Sequence, residues 1–583
     1  MHDGHEPSPT ALVQEPHGNR MPDDTRAENR PGSGRRRAPI YPKGRMVDSS
    51  ALAAVRETLG DLPRRRDLLI EHLHRIQDRF GGLSPAHLVA LADEMRLSIV
   101  EVYEVATFYA HFDVLADGQP YPPPITVRVC ESISCQLRGG VDLCRDLVAS
   151  LGTKVRVVPG PCMGQCDEAP AAMVGQNAVG GATVETVSRL ISEARTEAVL
   201  PPYPTLSAYR AAGGYAILER CRSGGETAEE VIAAVEAAGL RGLGGAGFRA
   251  AQKWRMVGQA DKPRLIAINA DEGEPGTFKD RVILESQPHR MLEGALIAAW
   301  AVGADAITIY LRDEYPHIRE ILTREIDELV MAGLDTPVSI HLRRGAGAYI
   351  CGEETAMLES IEGKRGYPRH KPPYPTQVGL FGRPTLIHNV ETVSWLPDIL
   401  ANGPEWFAGL GRDGRGPRSF SVSGRVKNPG VKVAPAGITA RELIEQYCGG
   451  MEDGQTFKAY LPGGASGGIL PASLGDVPLD FGTLEPHGAF IGSAAIVVFS
   501  QQDNMRDVAL NLMRFFEDES CGQCTPCRCG TEKAVALMTR PRWDEPLLAE
   551  LSGAMRDASI CGLGQAAPNP ILSVLRYFPE DLA

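Results

Sequence analysis

Leu69, Leu73, Ile76 and Phe80 recur at spacings of four, three and four, the repeat of one helical face. Gly81-Gly82 ends that helix, and Ser84-Pro85 opens the next with a cap and a first-turn proline. Ser98 and Glu101 stand as a capping box ahead of Val102-Tyr103-Glu104-Val105. Residues 46–112 therefore read as a helical bundle. Alternation takes over at Ile125–Val129, followed by a helix over Val141–Leu151 and a strand over Val155–Val158. This predicts a small α/β domain over 113–200. Strands at Leu265–Ile268, Ala306–Leu311 and Val338–Leu342, with helical stretches between them, predict a largely parallel sheet covered by helices over 201–410. Short strands, Gly-rich turns and one helix capped by Thr439 and Glu442 make 411–502 a β-rich domain, and 503–583 returns to helix. The fold class is α/β, multidomain.

The chain has 583 residues, 43% of them hydrophobic, enough to give each domain a core. Its longest apolar run, Gly294–Ala304, lies between Glu293 and Asp305 and reads as a buried helix, so no membrane span is expected. The opening MHDGHEPSPT has no apolar core, which argues against a secretory signal and for the cytoplasm. Residues 1–45 are rich in Pro, Gly, Asp and Arg and predict a disordered arm with a basic end at Arg35, Arg36, Arg37, Lys43 and Arg45. That arm is either a solvated tail or a segment that folds onto a partner subunit. A net charge of −13 argues against nucleic acid as the main partner.

Thirteen cysteines without a secretory signal point to metal chemistry rather than disulfides. Cys130 and Cys135 have four residues between them, and Cys162 and Cys166 have three. Each pair follows a predicted strand. Four thiolates from two such loops suit a [2Fe–2S] cluster with two ligands per iron, whereas zinc ribbons more often use two-residue gaps. Cys144 reads as a buried spectator. Cys521, Cys524 and Cys527, at two-residue gaps, suit a [4Fe–4S] cube, whose fourth ligand comes from Cys561 or Cys529.

Between the two sets, Gly242-Leu-Gly244-Gly245-Ala-Gly247-Phe248 precedes a helical pattern, as a phosphate-approaching turn does. Asn269 to Asp280 begins where a strand ends, and Gly347 to Thr355 follows another. Three such loops at strand ends in one domain mark a ligand site, because open α/β sheets bind at the carboxyl ends of their strands.

The stretch Val102-Tyr-Glu-Val-Ala-Thr-Phe-Tyr109, the cysteine spacings and Cys162-Met-Gly-Gln-Cys166-Asp-Glu-Ala-Pro170 resemble the smaller NADH-input subunit of respiratory complex I. That resemblance implies a thioredoxin-like [2Fe–2S] domain after the bundle. The three loops resemble the larger NADH-input subunit, which implies a Rossmann-like domain binding FMN and NAD(H), a ubiquitin-like β-grasp domain and a helical [4Fe–4S] domain. It further implies FMN contacts from Gly242, Gly244, Lys253, Asn269, Asp271, Glu272, Tyr349, Gly352, Glu353 and Asn389. NAD(H) contacts are implied from Gly245, Phe248, Glu274, Glu354 and Tyr374, with Phe248 on the adenine and Glu354 near the ribose. Cys561 is the implied fourth ligand of the cube. Leu243, Met256 and His388 depart from the family's usual residues.

The tail Cys561-Gly-Leu-Gly-Gln-Ala-Ala-Pro-Asn-Pro and the fusion of both modules resemble the β subunit of NAD-linked molybdenum or tungsten formate dehydrogenases. This implies a catalytic α subunit with further clusters as partner, since the chain shows no domain for formate chemistry. The alternatives are the same module in a hydrogenase or complex I, or a non-enzymatic iron–sulfur relay. No residue is expected to act as a general acid or base.

Overall fold

A computed structural model describes residues 44–582. The disordered arm expected for residues 1–45 lies outside the described residues, apart from its last two. Helices Ser49–Leu59, Leu69–Phe80, Pro85–Met95 and Ile99–Ala106 form the first layer. Their ends follow the sequence signals. Asp48, Ser84 and Ser98 accept from backbone N–H groups of the first turns, Ser98 with Glu101 in a capping box, and Gly81 closes the second helix in the left-handed region. Leu69, Leu73 and Ile76 are buried, as their spacing requires.

Next come strands β1 (Thr126–Cys130), β2 (Arg156–Gly160), β3 (Ala172–Val174) and β4 (Asn177–Val179), in the sheet order β2-β1-β3-β4. β1 runs parallel to β2 and antiparallel to β3. The short β3 and β4 carried no legible alternation, since both are three residues long.

The central sheet is wholly parallel, with β5 (Leu265–Ala270), β6 (Ala306–Leu311), β7 (Ser339–Arg344) and β8 (Thr385–Asn389) in the order β7-β6-β5-β8. The chain moves outward from β5 through β6 to β7, then returns to the other side of β5 as β8. The strand order reverses at β5, and Asn269 and Asn389 pair in register at the carboxyl ends beside that reversal. A crevice at such a point is where doubly wound sheets take ligands. Helix Pro288–Val302, which contains most of the longest apolar run, is almost entirely buried against this sheet. Among the described residues no helix is long and apolar enough to cross a membrane.

Strands β9 (Pro417–Gly424), β10 (Gly430–Pro435), β11 (Phe457–Leu461), β12 (Leu470–Pro471) and β13 (Ala495–Ser500) form a second sheet, ordered β10-β9-β13-β11-β12. Its helix begins at the expected capping box of Thr439 and Glu442. Helices Met505–Asp518, Thr525–Met538, Glu545–Ala558, Gly562–Ala566 and Asn569–Tyr577 follow. One continuous apolar core joins the first bundle, part of the central sheet, the β-rich domain and these last helices. The bundle is anchored by Arg343 of β7, which pairs with Asp67 at 2.6 Å and Glu71 at 2.8 Å.

The tightest packing of the buried helix lies at Gly294, where an added Cβ would stand 2.8 Å from the Val393 carbonyl carbon. Gly294→Ala is expected to destabilise the central domain by about 1–3 kcal/mol through overpacking. Thermal unfolding followed by circular dichroism checks this; an unchanged midpoint would show that the helix has room to shift.

Candidate functional site

The site grows from the ends of β5 and β8. Asn269 donates from Nδ2 to the Gly352 carbonyl at 2.8 Å and accepts from the Asp271 N–H at 3.0 Å, tying the loop after β5 to the turn Tyr349–Gly352. At the end of β8, Asn389 caps the helix beginning at Val390 and accepts from Lys279 Nζ at 3.2 Å. Lys279 is buried yet charged, because Asp280 at 2.8 Å and Glu391 at 3.2 Å compensate it. Glu353 caps the helix Glu354–Ile361 through the N–H groups of Thr355 and Ala356. Lys371 bridges Glu353 at 2.9 Å and Glu354 at 2.7 Å.

These elements enclose a cavity of about 1310 Å³, and every residue expected to touch FMN or NAD(H) lines it. A single ligand of ordinary size takes roughly 300–1,000 Å³, so the space suits more than one. Asp271 is forced toward its neutral form by burial, and its Oδ2 is buried with no partner among the described residues. An orphaned carboxyl oxygen on a cavity wall fits a ligand that brings a hydrogen-bond partner. Burial, then the neighbouring Asp280, pushes Glu272 up to about 8. Phe248, Met256 and Tyr374 expose 42%, 45% and 54% of their surface while lining the cavity, a set of apolar faces open to a stacking partner.

One expectation needs correction. The glycine turn Gly242–Phe248 does not follow a strand. It leaves a helix, Ala228–Ala237, and is closed by a bridge between Arg241 and Arg249 before helix Ala250–Gly258. Helix-to-helix turns also present backbone N–H groups, so the sequence motif alone did not distinguish the two settings. The departures at Leu243 and His388 have local reasons. Leu243 is buried in the core. His388 accepts from Trp254 Nε1–H at 2.6 Å, and burial followed by the nearby Lys253 charge depresses its pKa to about 3, leaving the ring neutral.

Remote segments complete the walls. Glu274 accepts from the Ser466 N–H at 2.8 Å and Oγ at 2.7 Å, and also from the Tyr349 hydroxyl. Ser466 lies in the β-rich domain, far from any motif. Lys279 and Lys371 were legible only as part of the sequence around the motifs, and Ile350 and Leu563 as ordinary apolar residues.

Cys130 ends β1, Cys135 lies in the turn Ile133–Gln136, and Cys162 and Cys166 lie beyond β2. All four are buried, and the Cys162 and Cys166 sulfurs lie 3.4 Å apart. This loop packs on Phe278 of the flavin-side loop. Arg312 donates to the Cys162 carbonyl at 2.6 Å and to the Glu272 carbonyl at 2.5 Å. Gly164 between the thiols has φ +68°, and an added Cβ would stand 2.8 Å from Cζ of Tyr315. Cys144 is half-buried and outside this set.

Cys521, Cys524, Cys527 and Cys561 line a second, small cavity. Cys524 caps the helix Thr525–Met538, Cys527 lies in its first turn, and Cys561 caps Gly562–Ala566. Burial raises Cys527 and Cys561 to about 11, so an apolar wall surrounds them. Cys529 is exposed and does not line this cavity. Ile350 and Leu563 line both this cavity and the large one, so the two cavities adjoin.

A nucleotide-sized crevice at a sheet reversal, flanked by two four-thiol pockets, defines an electron-transfer flavoprotein. Family models agree: Nuo51 FMN-binding domain over residues 235–398, thioredoxin-like [2Fe-2S] ferredoxin over 55–195, SLBB domain over 419–470, and the NADH-ubiquinone oxidoreductase-F iron-sulfur binding region over 507–583. An NADH-quinone oxidoreductase subunit of Rhizobium meliloti is 41% identical over 398 residues, covering 66% of this chain and 94% of that protein. The mitochondrial NADH dehydrogenase [ubiquinone] flavoprotein 1 of Dictyostelium discoideum is 42% identical over 374 residues, covering 60% and 78%. A solved NAD+-reducing [NiFe]-hydrogenase in the air-oxidized state aligns with a TM-score of 0.79 at 31% identity, over 90% of this chain and 94% of that one. The chain belongs to the family of the Nuo51 flavoprotein of NADH-quinone oxidoreductase. It is an oxidoreductase subunit with FMN-, [2Fe–2S]- and [4Fe–4S]-binding domains.

The glycines flanking Cys561 are not equivalent. An added Cβ at Gly564 would stand 2.8 Å from Cβ of Cys527, whereas Gly562 faces open space. Gly564→Ala is expected to lose most [4Fe–4S] signal in the electron paramagnetic resonance spectrum, and Gly562→Ala to keep it. Equal retention in both variants would mean that the two cysteine segments are not held apart by that contact.

Proposed function

We propose that this chain is the NAD(H)-linked diaphorase subunit of a cytoplasmic complex, exchanging electrons with a molybdenum or tungsten formate dehydrogenase subunit. The observation that carries the electron-transfer reading is that the nucleotide cavity adjoins the cavity of the Cys521 set, Ile350 and Leu563 lining both. When bound, FMN supplies the conversion between two-electron hydride exchange and single-electron exchange.

The protein's own residues then bind, orient and exclude water. Gly242, Gly244, Lys253, Asn269, Asp271, Glu272, Tyr349, Gly352, Glu353 and Asn389 hold FMN, all from the walls beside the sheet reversal. Gly245, Phe248, Glu274, Glu354 and Tyr374 hold NAD(H), with the exposed rings of Phe248 and Tyr374 as stacking faces. Glu274 is held by Ser466 and Tyr349, so it positions and does not shuttle protons. Cys130, Cys135, Cys162 and Cys166 ligate the two-iron cluster, and Cys521, Cys524, Cys527 and Cys561 the four-iron cluster.

The formate reading rests on the tail after Cys561 and on the fusion of both modules in one chain. A hydrogenase partner is a second reading, favoured by the structural similarity to the NAD+-reducing [NiFe]-hydrogenase over 90% of this chain. NAD+ reduction by the native complex, assayed with formate and with hydrogen separately, decides between them. Turnover with formate alone supports the first reading, and turnover with hydrogen alone replaces it with the second. The isolated chain is expected to bind about six irons, to reduce ferricyanide with NADH and to ignore formate.

The ligand assignment has its own test. Cys561→Ser is expected to abolish or convert the four-iron signal while the two-iron signal survives, and Cys529→Ser to leave both intact. The reverse pattern would move the fourth ligand to Cys529.

A further inference from the structure

A second large cavity, of about 810 Å³, lies beside the nucleotide site, between helix Ala250–Gly258 and the β-rich domain. Its walls carry Arg241, Arg249, Arg255, Arg415 and Arg418 against only two carboxylates, Glu236 and Asp480. This excess stands out in a chain of net charge −13. The compensation inside it is incomplete. Asp480 serves two guanidinium groups at once, Arg415 at 2.8 Å and Arg418 at 3.1 Å. Arg255 is matched by Glu236 at 2.7 Å and by Glu229 at 3.0 Å. Among the described residues Arg241 donates only to the Gly247 carbonyl, at 3.2 Å, and it lies 5.7 Å from the centroid of the Phe481 ring. Among the described residues Arg249 makes no ion pair.

Arg418 is the informative member. It is 4% exposed, its guanidinium lies 4.3 Å from the centroid of the same Phe481 ring, and its Nε is buried without a hydrogen-bond partner among the described residues. Gathering guanidinium groups around shared counter-charge is costly unless an anion joins them. A concave, partly enclosed wall of one sign concentrates anions. Guanidinium forks match phosphate oxygens two at a time. The volume falls in the range of small-molecule sites, roughly 300–1,000 Å³, and not that of a flat protein-docking patch.

We propose that this cavity is a second anion site, distinct from the flavin and NAD(H) cavity, which binds a small molecule bearing two or more phosphoryl groups. Arg241, Arg249 and Arg415 are its exposed contacts, and Arg418 its buried wall. Met256 and Gln259 line both cavities, so the site shares a wall with the nucleotide cavity. A test must therefore fill the nucleotide cavity first.

The full chain, loaded with its cofactors and saturated with NAD+, is titrated calorimetrically with pyrophosphate, with ADP and, as a carboxylate control, with citrate. One equivalent of pyrophosphate or ADP is expected to bind, and Arg249→Gln/Arg415→Gln is expected to weaken it by about tenfold or more, the loss of charge-assisted contacts. Turnover of ferricyanide with NADH and the thermal midpoint serve as folding controls and are expected to stay unchanged; the single variants replace the double one if it unfolds. Pyrophosphate binding without ADP binding supports an inorganic ligand, and preferential ADP binding a nucleotide. No binding of either, binding insensitive to the substitutions, or citrate binding more tightly than both would overturn the proposal. So would a native complex in which an acidic partner chain occupies the groove.

Discussion

The buried guanidinium of Arg312 joins the two halves of the redox site. At 4% exposure it cannot rely on water, and an uncompensated charge there would cost several kcal/mol. Glu314 supplies its counter-charge at 3.0 Å, while Nη1 and Nη2 donate to the carbonyls of Glu272 and Cys162. One rigid cation therefore sets the distance between the loop that follows β5 and the loop that carries Cys162 and Cys166. Arg281 repeats the connection from the next turn, donating to the Gly164 carbonyl at 2.7 Å and pairing with Asp167 at 2.8 Å. These ties make the thiol pocket of one domain and the nucleotide wall of another a single mechanical unit.

The loop so held reaches outward in two further directions. Glu274 draws in Ser466 from the β-rich domain and the hydroxyl of Tyr349. Tyr349 in turn donates its backbone N–H to the Glu519 carboxylate at 2.9 Å and packs against Phe515, both from the helical end of the chain. The same neighbourhood contains Ile350, which lines both the large cavity and that of the Cys521 set. Backbone groups and buried charges thus fix where the electron carriers of this family would stand, and apolar side chains fill only the space between. Such an arrangement suits chemistry that needs fixed separations and no moving proton donor.

Charge is distributed with the same economy. Lys279, buried beside the end of β8, is compensated by Asp280 and Glu391, and Lys371 by Glu353 and Glu354. The nucleotide cavity is lined by seven acidic side chains against five basic ones, and Asp271 keeps an unpartnered oxygen there. The neighbouring arginine-rich cavity has the opposite excess. The contrast between two adjacent cavities that share Met256 and Gln259 is what singles the second one out.

The sequence alone determined what local rules govern. Capping residues Ser84, Ser98 and Thr439 predicted helix starts that the structure contains, because a cap is satisfied within four residues. Clustered cysteines and the Asn269–Asp280 loop announced metal and nucleotide chemistry, because such residues are costly to gather without a ligand. The sequence did not show β8 as a strand, the setting of the Gly242 turn, or which glycine beside Cys561 is crowded. It also could not show that Ser466, Ile350 and Leu563 belong to the same cavity walls, nor that five separated arginines line one second cavity. Each of these depends on contacts between residues tens to hundreds of positions apart. Only the closure of the sheets and the packing of the helical end bring those residues together, and that closure is decided by burial across the whole chain, not by any short pattern within it.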